Sequence, residues 1–258
     1  MIYIGTAGFS YDDWIGPFYP EGIKGSEMLE FYSREFDFVE LNSTYYHMPS
    51  LKLFVSMDRK TPEKFMFAVK LFKGFTHERT SGKEDAQRFM FALQPLIEKG
   101  KLLCILVQFP YSFHYNSENV EYIKNLRKMF GNDINMNVEF RNRVWVRKET
   151  VVLLRGEGLG FVCVDEPDIK GLMGKVTAIT SDISYVRFHG RNKTAWYGTT
   201  GSERYDYMYS REELLEWMPT IREMTTKSGI TVISFNNHPI GKAIESARLM
   251  KELTAQLL

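Results

Sequence analysis

The 258 residues are 44% hydrophobic and 25% charged, with 33 Lys and Arg against 32 Asp and Glu. That is enough apolar material for a large core, in one barrel-sized domain or two small ones. A net charge of +1 excludes a global basic field that would drive non-specific nucleic-acid binding, so any such contact needs a local patch.

The first strand is Ile2-Tyr3-Ile4-Gly5. A loop rich in aromatics, Gly and Pro follows, with Tyr11, Trp14, Phe18, Tyr19 and Pro20. Ser26 is placed to cap an amphipathic helix over Glu27–Tyr32. The second strand is Phe36 to Asn42, with Glu40 and Asn42 on one face and Val39 and Leu41 on the other. Thr44 to Pro49 forms another aromatic loop, and a helix runs from Leu51 to Lys60. The third strand, Phe65 to Lys70, ends in a lysine, and Asp85 to Lys99 forms the next helix. Leu102 to Pro110 is nearly all apolar, as expected of a strand buried on both faces.

A helix spans Ser117 to Phe130. The fifth strand opens the stretch Asn137-Val138-Glu139-Phe140-Arg141-Asn142-Arg143-Val144-Trp145, where alternation sets Asn137, Glu139 and Arg141 on one face. A short helix, Lys148 to Glu157, precedes the sixth strand, Phe161 to Asp165, which Glu166-Pro167 ends. Residues 170–180 carry little periodicity. The seventh strand is Ser184 to Gly190, with Arg187 and His189 sharing a face. A loop with Arg191, Trp196, Tyr197 and Tyr205 leads to a helix from Glu212 to Lys227, interrupted at Pro219. The eighth strand, Ile230 to Asn236, runs into Asn237-His238-Pro239, and a last helix covers Ala243 to Leu257.

Eight strands alternating with helical stretches imply parallel pairing through right-handed crossovers. With a length near 250, the pattern is that of a (β/α)8 TIM barrel, an α/β fold in a single domain over residues 1–258. An open doubly wound sheet would carry a GxGxxG turn after its first strand, and Gly5-Thr6-Ala7-Gly8 is not one. Cys104 and Cys163 lie in separate apolar runs without redox or metal spacing, which fits buried reduced thiols. The start lacks a signal-type segment, and no apolar run approaches the roughly 20 residues of a membrane span. The expectation is a cytoplasmic protein with no membrane partner.

The carboxyl ends of the strands collect polar residues, whereas the amino ends are mostly apolar. In a barrel those ends converge on one face, where sites are built. Glu139, Asp165 and His189 are the candidate proton-transfer groups. Lys70, Arg141 and Arg187 are candidate anion contacts, Arg through its planar fork. Glu40, Asn42, Gln108, Asn236 and Asn237 complete the polar lining, with Tyr45, Trp145 and Trp196 as stacking groups. Each has a plainer reading: the polar residues as interior glue, the aromatics as a packed roof. His189, His238, Asp165, Glu139 and Glu40 are usable ligands for a divalent metal, but no HxxxH, HxH or His-rich tract is present, and cationic neighbours oppose it. No metal or other cofactor is assigned. There is no GxSxG for a serine nucleophile, and Gln108 and Arg187 with His189 stand where a retaining glycosidase barrel would carry glutamates.

Several segments together resemble the YecE-like proteins, domain-of-unknown-function family 72. They are Gly5 to Tyr11 with Trp14 and Phe18-Tyr19-Pro20; Val39 to Tyr46; Lys70 with Thr76-His77; Gln108-Phe109-Pro110; Val138 to Arg141 with Trp145; Tyr185 to Gly190; and Phe235 to His238. The resemblance covers nearly the whole chain in order and implies a TIM barrel; it carries no established reaction. Ala7 departs from the Ser more often expected there. The residues point first to a hydrolase or lyase acting by acid/base chemistry on an anionic small molecule, a phosphorylated sugar or a nucleotide, free or within nucleic acid. The alternatives are a non-catalytic nucleic-acid or ligand-binding module, and a sugar isomerase or glycosidase.

Overall fold

The computed structural model describes residues 1–197 and 203–255. Eight parallel strands close into a barrel in sequence order: β1 (Ile2–Ala7), β2 (Phe38–Leu41), β3 (Met66–Lys70), β4 (Leu102–Gln108), β5 (Met136–Glu139), β6 (Gly160–Asp165), β7 (Ile183–Phe188) and β8 (Ile230–Phe235). The helices are α1 (Gly25–Tyr32), α2 (Ser43–Tyr46), α3 (Leu51–Arg59), α4 (Lys73–Thr76), α5 (Lys83–Glu98), α6 (Ser117–Phe130), α7 (Lys148–Gly156), α8 (Arg211–Leu215), α9 (Met218–Lys227) and α10 (Lys242–Thr254). The expected end of the last helix, Leu257, lies outside the described residues. None of the described helices is long and apolar enough to cross a membrane.

Register decides which side chains face the barrel axis, because partners across a parallel pair point the same way. Glu40 pairs with Ala68, Lys70 with Leu106, Gln108 with Glu139, Val164 with Arg187, and Arg187 with Ser234. These residues fill the interior. The residues between them, such as Val39, Val69, Val107, Val138 and Val186, are buried against the helical layer. Both cysteines are buried and unpaired.

Local chemistry adjusts several expected boundaries. Lys24, not Ser26, is the first cap: its N–H donates to Glu27 Oε2 at 3.0 Å. The fifth strand stops at Glu139, and Arg143–Trp145 forms a short 3₁₀ turn, with Asn142 Oδ1 accepting from Val144 N at 3.1 Å. The expected helix over 212–227 is two helices. Ser210 and Glu213 cap α8 reciprocally, and Pro219 sits in the first turn of α9, where its missing N–H costs no helical bond. Gly8 adopts φ 88°, which lets the chain turn out of β1. Tyr11 OH then donates to Ala7 O at 2.6 Å, folding the first loop over the barrel mouth.

Candidate functional site

The deepest layer of the mouth is a charge-compensated cluster. Arg187, at the end of β7, donates Nε to Glu40 Oε2 at 2.8 Å, Nη2 to Glu40 Oε1 at 2.5 Å, and Nη1 to Glu139 Oε2 at 2.5 Å. Tyr185 OH donates to Glu40 Oε2 at 2.6 Å from the layer below. Arg141 Nε is 2.6 Å from Glu139 Oε1. Burial opposes the charge of Arg187, but Glu139 and Glu40 hold its pKa well above the ordinary range. Burial likewise opposes ionisation of Glu139, yet Arg141 and Arg187 hold its carboxyl well below the usual carboxylate range. Two carboxylates thus neutralise two guanidiniums.

His189 continues this network. Asn236 Nδ2 lies 3.1 Å from its Nδ1, and an amide N–H donating there leaves the hydrogen on Nε2. Nε2 faces Glu139 Oε1 at 3.3 Å. Burial, helped by Arg141, lowers the imidazole pKa to about 3, so His189 is neutral.

Above the cluster is a cleft with two lobes, of 470 Å³ and 310 Å³. Tyr45, Lys70, Arg141 and Tyr205 line both. The first lobe reaches Tyr11 and His238, whose rings stack at 4.6 Å, together with Asn42, Asn236 and Arg187. The second reaches His77, Gln108, Tyr111, Trp196 and Arg204. Lys70 is half-buried at the carboxyl end of β3 with Nζ 4.5 Å from the centroid of the Tyr45 ring. Among the described residues its amine has no hydrogen bond and no ion pair. Burial and the positive charges of Arg187 and Arg141 outweigh Glu139 and Glu40 and lower its pKa to about 7. His77, in the second lobe, is lowered to about 4 by burial and by Lys70 and Arg141.

Eight expected site residues therefore line the cleft: Asn42, Tyr45, Lys70, Gln108, Arg141, Arg187, Asn236 and Trp196. Glu40, Glu139 and His189 lie beneath it, each 0% exposed; the two carboxylates hold the arginines, and His189 faces Glu139.

Three do not belong to the cleft. Asp165, expected to move protons, points out of the barrel and accepts from Arg191 Nη2, Tyr209 OH and Trp217 Nε1, each at 2.7 Å. It pins the β7–α8 connection and α9 to the sheet. Trp145, expected to stack on a ligand, is buried between other rings: Phe140 lies at 4.2 Å, and its Nε1 donates to Phe113 O at 2.6 Å. Asn237 donates Nδ2 to Tyr207 O at 2.9 Å and Ser246 Oγ at 3.0 Å, tying α10 to the loop above β7.

Glu166 was not among the expected site residues. Its Oε1 accepts from Met173 N at 2.8 Å, and its Oε2, 4.0 Å from Arg141 Nη1, has no hydrogen-bond partner among the described residues. Burial, with Glu139 acting in the same direction, raises its pKa to about 7 against the pull of Arg141. Counting two residues on from Val164 along the inward face would have found it. Tyr205 was also missed; it comes from the loop after β7, where no periodicity marks it. The residues named above only as usable metal ligands are not gathered: Glu40 and Glu139 are held by Arg187, and Asp165 faces outward. Among the described residues no group of three or more His, Cys, Asp or Glu stands at ligand spacing.

Comparison with known proteins agrees with the architecture. Residues 3–257 match the family described as "Protein of unknown function DUF72". The UPF0759 protein YunF of Bacillus subtilis (strain 168) is 33% identical over 270 residues, covering 98% of this chain and 94% of its own. The crystal structure of a DUF72 family protein from Thermotoga maritima MSB8 superposes with a TM-score of 0.91 at 42% identity, over 99% of each chain. One from Enterococcus faecalis V583 gives 0.88 at 27% identity, over 99% of this chain and 96% of its own. A D-psicose 3-epimerase shares only the fold, at 14% identity and a TM-score of 0.51. With a barrel closed in strand order and a family match over nearly its whole length, this chain belongs to the DUF72 family.

Proposed function

We propose that the protein is an enzyme of the hydrolase or lyase class, acting by acid/base chemistry on an anionic substrate, a phosphorylated sugar or a nucleotide. The observation that carries this reading is the imbalance at the cleft floor. Arg141 and Arg187 are neutralised by Glu139 and Glu40, and Lys70 is left between them with no carboxylate of its own. An anionic group entering beside Lys70 and Arg141 supplies that missing charge. An amine titrating near neutrality can also take and return a proton during turnover. Glu139 acts through the arginines, and His189 through Glu139. The aromatic walls of the two lobes offer flat apolar surface on either side of the anion contact.

The test is a thermal-shift and turnover screen of phosphorylated sugars and nucleotides beside their dephosphorylated counterparts. The phosphorylated member of at least one pair should raise Tm and be consumed, and Lys70→Met should abolish both effects. Equal response to the neutral counterparts, or an unchanged response in Lys70→Met, would rule the reading out.

A further inference from the structure

The molecule contains an internal control for the role of Lys70. Lys101 is buried, at 3% exposure, where Lys70 is half-buried, and Lys101 is fully engaged. Its Nζ donates to Asp58 O and Thr61 O, each at 3.1 Å, and to Thr61 Oγ1 at 3.2 Å, and it pairs with Asp58 Oδ1 at 2.7 Å. That is how this fold holds a lysine whose work is structural. Lys70 is held in the opposite way. The carboxylates whose charge reaches it, Glu40 and Glu139, are engaged by Arg187, Arg141 and Tyr185, although Glu139 Oε1, 2.6 Å from Arg141 Nε, makes no hydrogen bond among the described residues. Its Nζ rests on the face of Tyr45, a cation–π contact that favours the ammonium but brings no carboxylate or lone-pair acceptor. A lysine needed only as a positive charge gains from a carboxylate neighbour. A lysine needed as a free amine gains from having acceptors withheld and cations placed beside it, since both favour the unprotonated, nucleophilic form.

We propose that Lys70 is a covalent nucleophile, whose Nζ adds to the carbonyl carbon of an aldehyde or ketone borne by the anionic substrate. This deepens the reading of an anionic substrate and rests on it. In the first step the Nζ lone pair forms the N–C bond, and the carbonyl π pair moves onto oxygen. A proton passes from nitrogen to that oxygen, giving a carbinolamine. The proton that Lys70 shed to become a free amine returns from solvent and converts the hydroxyl to water; the C–O bond breaks, and the nitrogen lone pair closes the C=N bond. The sum is ammonium plus carbonyl giving iminium plus water, so no external oxidant or reductant enters. The iminium keeps the single positive charge of a protonated Lys70, and the substrate's own anion beside Arg141 compensates it. The iminium then serves as the electron sink for carbon–carbon cleavage: a β-hydroxyl gives up its proton to solvent, the bond between the α and β carbons breaks, the β carbon leaves as a carbonyl fragment and the bond pair forms an enamine. Reprotonation of the enamine and addition of water then release the second product and the Lys70 amine, which makes the reaction that of a lyase.

The test uses the full chain at pH 7 with glyceraldehyde 3-phosphate and sodium cyanoborohydride, which reduces an iminium to a stable secondary amine. Intact mass and peptide mapping then locate the adduct, and calorimetry with inorganic phosphate measures anion binding separately. A single adduct at Lys70 is expected, formed at least about tenfold faster than at any other lysine, because ordinary lysines are almost wholly protonated at that pH. Lys70→Arg should lose the adduct while still binding phosphate. Adducts spread evenly over the lysines, or absent from Lys70 while phosphate binds, would overturn the covalent role and leave the anion reading standing. Labelling of Lys70 at the same rate by unphosphorylated glyceraldehyde, with no phosphate binding, would support the amine chemistry and overturn the anion reading. The wild-type adduct map decides the matter even if Lys70→Arg fails to fold.

Discussion

Arg187 shows what a buried charge demands of its neighbours. Its guanidinium is 1% exposed and joins Glu40 to Glu139 across the barrel. Arg187→Met would leave Glu40 buried without a cation and Glu139 with Arg141 alone, and urea unfolding should show a loss of about 3–5 kcal/mol, the usual cost of breaking a buried pair on one side. A loss below about 1 kcal/mol would mean the pair is solvated, as surface pairs are. The sequence made Arg187 and Lys70 look alike, as cations at the ends of strands. They differ because the carboxylates of β2 and β5 meet β7 and not β3, and pairing across a closed barrel depends on register that one strand's residues do not carry.

At the scale of the element, strand alternation made most of the site legible. Glu40 with Asn42, Glu139 with Arg141, and Arg187 with His189 each lie two residues apart, and all six belong to the cleft or its floor. The same rule, carried across strand ends, accounts for the misplaced residues. Asp165 pairs in register with Phe188, whose ring packs 5.4 Å from Trp217, so it faces the helices; Glu166, one residue on, faces in. Asn237 stands one residue beyond the inward Asn236. Trp145 lies past the end of β5, where alternation has no meaning, and only its neighbouring rings decide its place. The loop after β8 holds a second local feature. Ile240 has φ 53° and ψ 37°, is 62% exposed, and donates its N–H to Asp13 Oδ2 at 2.7 Å. A β-branched residue in the left-handed region is strained, and little apolar burial opposes its removal. Ile240→Gly should therefore raise stability by about 1 kcal/mol, seen as a higher Tm. A lower Tm would show that the isoleucine side chain contributes more than its backbone costs.

For the whole molecule, the two groups shifted toward neutrality combine into a pH signature. Glu166 keeps its proton in the folded state to about pH 7, against an ordinary 4.5, so its contribution to stability falls as pH rises from 4.5 to 7. Folded Lys70 gives up its proton near pH 7, whereas the unfolded chain keeps it to 10.5, so its contribution rises from pH 7 to 10.5. Together they make the protein least stable near neutrality relative to a Lys70→Met/Glu166→Gln double variant. The difference should be largest near pH 7, losing the Glu166 share toward pH 4 and the Lys70 share toward pH 10.5. A difference that does not change with pH would show that neither group is shifted. Natural barrels retain such costs where a site needs them.

The proposed chemistry turns on the state of one amine. Titration of Lys70 by NMR, with 13Cε and 15Nζ labels and Lys70→Arg to assign the signal, measures it directly. A midpoint near pH 7, well below the 10.5 of an ordinary lysine, is the predicted result. A midpoint near 10.5 would show a plain ammonium at the cleft floor, and it would contradict both the proton-transfer role and the nucleophilic role given to Lys70.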